Sequence, residues 1–315
     1  MNILLPGQYP RSEALIAATR NYDRKRLSLD DLEQVYREDL HLFKEVQKGF
    51  PYLSPGLSHW QDLMRPFTEI LTHTRAGTLT RFYETNTFWR MLEGSEETQI
   101  DESKLEDWVE TYFLGQGAFS SEDPLVFTLP FLFVFKDFSR GISYERIAGI
   151  LERIASRLLA LPNKLLCFME PIFGWRQLSE EERTLGRILL ERLKAKAPSQ
   201  IFLCSYFFSI EQDLDYLYSL PVDGLGIDFY NNSVAAVLPN FPKDKILLAG
   251  IINTESTLIE SKKNIDEFVQ MLSAYLPEQR VYFTPNGPAE LLPRMVMDEK
   301  IKNLQEIILC LPQPS

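Results

Sequence analysis

Seven short apolar runs recur along this chain, and from Leu125 onward each is followed by a longer segment of helical period. The runs are Asn2–Leu5, Leu125–Leu129, Leu165–Glu170, Ile201–Ser205, Gly224–Asp228, Ile246–Ile251 and Val281–Thr284. Alternation of this kind is how a parallel sheet with crossover helices reads. The predicted helices are Ser28–Lys48, Ser143–Leu161, Ser179–Ala197, Ile210–Leu220, Leu258–Leu276 and Asp298–Leu309. Ser28 with Asp31 forms a capping-box pattern, and Ser179 opens a Ser-Glu-Glu-Glu run that sets acid at the positive end of a helix dipole. No Gly-x-Gly-x-x-Gly or Gly-x-x-x-x-Gly-Lys turn supplies a phosphate cradle at a switch point. The expected fold class is therefore α/β, a single (β/α)8 TIM-type barrel rather than an open doubly wound sheet.

Between the first two runs, Gly77–Arg90 alternates polar and apolar residues and predicts an inserted β-hairpin, leaning over the barrel mouth. No linker rich in Pro, Gly or Ser divides the chain, so residues 1–315 are read as one barrel domain. With 33 Lys+Arg against 44 Asp+Glu, the formal charge is −11. Such a chain repels nucleic acid and anionic membranes unless it carries a basic patch, and Arg24-Lys25-Arg26 and Lys262-Lys263 are too short to be one. Three scattered cysteines fit a reducing compartment. The first residues lack the pattern of a signal peptide and no run is long enough to span a bilayer. These features lead us to expect a cytoplasmic protein that binds neither nucleic acid nor membrane.

Barrel enzymes work at the C-terminal ends of their strands. Those ends carry Gln8, Tyr9 and Arg11, then Glu170, Cys204 with Tyr206, Asp228, Asn253 and Asn286. Each polar residue alone could cap a helix, but the ring of Glu170, Cys204, Asp228 and Asn286 reads as a site. Glu170 and Asp228 are candidates for paired acid/base work with Cys204 beside them, if burial splits the carboxyl pKa values. Arg11 and Arg81, together with Glu84 and Asn86 of the hairpin, are candidate substrate-binding groups, since a guanidinium matches a carboxylate at two points. His41 and His73 read as helix residues, and neither they nor His59 flank a cysteine at ligand spacing. Cys167 is expected in the core, and Cys310 in helix packing. We expect no stoichiometric zinc, and the sequence leaves any other cofactor unknown.

These segments, taken in order, resemble the cobalamin-independent methionine synthase superfamily. The matching runs are Gly7-Gln-Tyr-Pro-Arg11, Gly56-Leu-Ser-His-Trp-Gln-Asp-Leu-Met-Arg-Pro66, Arg81-Phe-Tyr-Glu-Thr-Asn86, Met169-Glu-Pro171, Ser205-Tyr-Phe207, Leu220-Pro-Val-Asp-Gly-Leu-Gly-Ile-Asp228, Gly250-Ile-Ile-Asn253 and Arg280-Val-Tyr-Phe-Thr-Pro285. The likeness is strongest to stand-alone proteins similar to that enzyme's N-terminal barrel. It implies a (β/α)8 barrel and, in catalytically complete members, methyl transfer to a zinc-bound homocysteine thiolate.

Position by position, Phe202 stands where the family has a zinc-binding His, Cys204 where it has a Cys, Asp228 for a Glu and Gly287 for the last Cys. Met169 replaces the Asp of the Asp-Glu-Pro that grips the amino acid. Gly7-Gln8-Tyr9-Pro10 replaces Gly-Ser-Phe-Pro, and Phe131-Leu132 replaces a Gly-Pro turn. The resemblance thus implies a methyltransferase-family protein of methionine and one-carbon metabolism with a degenerate zinc site. Its substrate would be a thiol such as homocysteine, its donor a methyl-folate or methyl-corrinoid, and its partner a methyl-donor protein or a separate catalytic barrel subunit. The alternative is a non-catalytic barrel that binds a small ligand or a partner subunit.

Overall fold

The computed structural model describes residues 1–115, 117–196 and 199–310. Its strands in chain order are β1 (Asn2–Ile3), β2 (Leu71–Thr72), β3 (Arg75–Arg81), β4 (Phe88–Glu93), β5 (Gln99–Ile100), β6 (Leu125–Pro130), β7 (Ser139–Arg140), β8 (Lys164–Met169), β9 (Gln200–Ser205), β10 (Gly224–Asp228), β11 (Ile246–Ile252) and β12 (Val281–Pro285). All seven apolar runs are strands of one curled parallel sheet, in the order β1-β12-β11-β10-β9-β8-β6. Near-continuous burial of β6, β8, β10 and β11 explains why they read as unbroken apolar runs: helices cover one face and the sheet's own concave side the other.

Among the described residues, seven strands, not eight, make up the sheet. Beside β6, at its edge, Leu53 makes an isolated parallel bridge to Leu125. Leu53 donates its N–H to the Pro124 carbonyl and accepts from Val126, while Tyr9 donates to the Gly56 carbonyl.

Ser28 and Ser143 cap the helices Leu29–Val46 and Tyr144–Leu159 through their side-chain oxygens, as their positions predict. The run at Ser179 becomes Glu180–Lys196, and the expected last residue, Ala197, lies outside the described residues. Three readings shift. The segment from Ile210 splits into a 3-10 turn, Glu211–Asp213, and a short helix, Leu214–Ser219. The helix expected from Leu258 starts at Lys262, because Ser261 is its cap. The last helix starts earlier, at Arg294 after Pro293. Cys310 is exposed at the end of that helix instead of packed within it, and His73 sits in a turn with φ 55° rather than in a helix.

The predicted hairpin is present as β3 and β4, antiparallel, with β7 added on the far side of β4. Trp89 on its inner face is buried and stacks on Phe82 at 3.7 Å between ring centroids. That aromatic pair anchors the hairpin. Phe82 also lies 6.0 Å from Phe207 in the loop after β9, and Tyr83 lies 5.6 Å from Trp175 in the loop after β8. The hairpin therefore docks over the C-terminal ends of the central strands.

Candidate functional site

Parallel pairing brings the ends of β8, β9, β10 and β12 to one rim, so Glu170, Cys204, Asp228 and Asn286 share it without being near in sequence. All four are buried. Asp228 ends β10 and accepts four hydrogen bonds: from the backbone of Tyr230 (2.8 Å) and Phe207 (3.3 Å), and from the side chains of Asn231 (2.7 Å) and Asn286 (3.2 Å). Asn286 in turn accepts from the Thr254 backbone at 2.8 Å and its hydroxyl at 3.1 Å. This network ties the loops after β9, β10, β11 and β12 together.

Glu170 faces differently. Its carboxyl accepts from the Phe133, Val134 and Ile172 backbone N–H groups at 3.0–3.1 Å, at the start of the short helix Leu132–Asp137. Burial pushes its pKa up to about 8, because loss of water outweighs the three N–H donors that favour the ionised form. Glu290, in the turn after β12, is likewise pushed up to about 8 by burial, with Asp62 adding repulsion; its Oε2 has no hydrogen-bond partner. Tyr206 is buried with its hydroxyl unpartnered, and burial beside Glu170 and Glu290 holds it protonated.

Cys204 Sγ points to Cys167 on β8 at 3.1 Å. Gly226, directly opposite on β10, makes room for it: a Cβ there would overlap that sulfur. A cavity of about 10 Å³ lies between Met169, Cys204, Ser205, Tyr206, Thr284, Asn286 and Gly287, the scale of a single water. The hydroxyls of Ser205, Tyr206 and Thr284 on these segments are all unpartnered. Phe207 roofs this region with a left-handed backbone (φ 73°), and a Cβ on Gly287 would stand 3.1 Å from its ring. Tyr83, across the roof, is also left-handed (φ 47°). Two bulky residues in that region mark stored strain over the mouth.

Other expected site residues lie elsewhere. Gln8 is buried, donates to the Trp60 carbonyl and leaves its own Oε1 unpartnered. Tyr9 turns to the helix layer, stacking on Phe43 at 4.0 Å and donating to Asp298 at 2.8 Å. Arg11 is half-buried near Tyr36 and Arg65, its pKa lowered by that burial. Arg81 folds back on its own hairpin, donating to the carbonyls of Thr85 and Glu84, and Glu84 and Asn86 are exposed there. Asn253 lines a second cavity of about 420 Å³ with Phe229, Tyr230, Glu260, Asn264 and Phe268. Sequence reasoning missed Glu290, Asp62, Thr254 and the roof residue Phe207; Asp62 and Phe207 did stand within motifs singled out above. Among the described residues, no group of three or more His, Cys, Asp or Glu side chains is placed to hold a metal ion. His59 is half-buried and stacks on Tyr36 at 4.0 Å, and loss of water around its ring lowers its pKa to about 4.

Residues 71–275 match the family model described as the cobalamin-independent synthase N-terminal domain. The chain belongs to this family. Among curated relatives, the 5-methyltetrahydropteroyltriglutamate–homocysteine methyltransferase of Lactococcus lactis subsp. cremoris strain MG1363 is 25% identical over 246 residues, 73% of this chain and 32% of the relative. The same-named enzyme of Streptococcus suis is 29% identical over 154 residues, 47% of this chain and 20% of the relative. This chain thus matches about a third or less of the length of these synthases. In fold it is similar to a B12-independent methionine synthase from Shewanella sp. W3-18-1 in complex with selenomethionine, with TM-score 0.71, 16% identity and 98% of both chains covered. A putative vitamin-B12 independent methionine synthase from Listeria monocytogenes gives TM-score 0.71 at 12% identity, covering 100% of this chain and 98% of that one. No helix among the described residues is long and apolar enough to cross a membrane.

Proposed function

We propose that this protein serves methyl transfer in methionine and one-carbon metabolism, acting at the barrel mouth, with the hairpin roof lifted, on a thiol such as homocysteine with a methyl-folate or methyl-corrinoid donor. The observation that carries the reading is the convergence of Glu170, Cys204, Asp228 and Asn286, with three unpartnered hydroxyls, on one rim of a chain of the synthase family. In this reading Glu170, protonated near neutral pH, donates, Asp228 accepts and Cys204 lines the substrate. Gln8, Tyr206 and Asn286 are the polar wall, and Arg11, Arg81, Glu84, Asn86 and Asn253 are outlying binding groups that must reorient to serve. The Leu53–Gly56 backbone, bonded to β6 on one side and to Tyr9 on the other, supports an eighth strand position closing a single (β/α)8 barrel over residues 1–315. We take the protein to be cytoplasmic.

The zinc of catalytically complete members does not fit these residues. Asp228 spends its lone pairs on four donors, Cys204 faces a second thiol, and Phe202 and Gly287 offer no ligand atom. The protein's own groups bind, orient and move protons. The same observation favours a second reading, a non-catalytic barrel that binds a ligand or a separate catalytic barrel subunit. Elemental analysis with a thiol-methylation assay, run with methyl-folate and methylcobalamin, separates the two. Methylated thiol with well below one zinc per chain supports the first; no turnover with either donor supports the second.

A further inference from the structure

Cys167 and Cys204 lie on adjacent parallel strands, where Cys167 pairs with Phe202 and Met169 with Cys204, so the two cysteines are diagonal neighbours on one face. Their sulfurs are 3.1 Å apart, both are free, and both are buried. Burial holds the Cys167 thiol protonated. Cys204 is the one that borders the water-sized cavity at the mouth, alongside Ser205, Tyr206 and Thr284. The unpartnered hydroxyls of those three residues supply donors and acceptors with nothing in the protein to satisfy them. A cavity of about 10 Å³ admits a molecule near the size of water and excludes a peptide-sized disulfide.

We propose that Cys167 and Cys204 form a modification site, a dithiol that takes hydrogen peroxide through the mouth cavity and closes to a disulfide. The Cys204 sulfur attacks one peroxide oxygen, the O–O bond breaks, and the thiol proton leaves with the departing oxygen as water. The resulting sulfenic acid is attacked by the Cys167 sulfur; the S–O bond breaks and the Cys167 proton leaves with hydroxide as a second water. Two sulfurs lose two electrons in total and one peroxide becomes two waters. The orphan hydroxyls hold the peroxide and pass its protons. Closure draws Cys204 away from the mouth, so oxidation removes one of the groups lining the site. The chemistry of the pair does not depend on the methyl-transfer reading.

The test uses the full chain carrying Cys310→Ser, a change at an exposed position that leaves only the buried pair. After exposure to hydrogen peroxide and quenching, the protein is denatured, alkylated and weighed. The expected result is a mass lower by two hydrogens, no alkylation, a linked Cys167–Cys204 peptide after digestion, and recovery of both thiols with dithiothreitol. Glutathione disulfide at the same exposure should leave both thiols alkylatable. In a Cys167→Ser background, dimedone present as the peroxide-treated chain is denatured should trap Cys204 as the sulfenic acid. Two alkylated thiols after peroxide, further oxidation of Cys204 with Cys167 still free, or no dimedone adduct in the Cys167→Ser chain would each overturn the proposal.

Discussion

Two glutamates whose carboxyl groups are buried near the mouth should answer the same substitution with different pH profiles of stability. Glu290 and Glu170 both have pKa values pushed from an ordinary 4.5 up to about 8. A native carboxyl with a raised pKa holds its proton while the unfolded chain has lost it, so each group lowers stability as pH climbs from about 4.5 to about 8. At pH 7, about 2.5 units above the ordinary value for Glu290, about 1.4 kcal/mol per unit sets an upper value of about 3.5 kcal/mol for the penalty. Glu290→Gln removes the titration, and because Oε2 has no partner the amide displaces no hydrogen bond there. The variant should match the parent near pH 4 and melt several degrees higher at pH 7 to 8. Glu170→Gln removes a titration too, but its NH2 must face one of three backbone N–H donors and leave it buried and unpaired, at about 1–3 kcal/mol. That variant should melt lower at pH 4, where no ionisation gain offsets the loss. Thermal melts of both variants and the parent from pH 4 to 9 check this. A Glu290→Gln advantage that is flat or shrinks as pH rises would refute the assignment of a raised carboxyl.

Gly226→Ala should cost about 1–3 kcal/mol in denaturant unfolding, since its Cβ overlaps Cys204 Sγ, and the double variant with Cys204→Ala should recover only part of that loss, because the Cβ of residue 204 still crowds the new methyl. Phe82→Ala should cost about 3–5 kcal/mol and open the Gly77–Arg90 hairpin to limited proteolysis, because its ring is sandwiched between Trp89 and the roof residue Phe207. Protein purified without chelator should carry well below one zinc per chain; a full equivalent lost on Cys204→Ala would show that the ligand reading is wrong.

The strands were legible because a sheet buried on both faces must be written in continuous apolar residues. Asp228 and Asn286 were legible for a related reason: a polar residue directly after such a run sits at the rim. The direction of a side chain in the loop after β1 or at the tip of the hairpin was not, so Tyr9 went to the helix layer and Arg81 to its own turn. Glu290 was hidden because its burial comes from how the turn after β12 docks, which leaves no local pattern. The meeting of Cys167 with Cys204 depends on the register of β8 against β9, set by pairing across 37 residues of chain.

The central claim is that the mouth holds a small ligand through Asp228 and its neighbours. Isothermal titration with homocysteine and, separately, methyl-folate tests it most directly, using the parent, Asp228→Asn and Glu170→Gln at a pH where melts show all three folded. Asp228→Asn swaps one of two accepting oxygens for a donor and breaks the Asn286 and Thr254 network, so binding seen with the parent should weaken at least tenfold, about 1.4 kcal/mol, in that variant. Unchanged affinity in both variants would place the ligand outside the mouth and contradict the account.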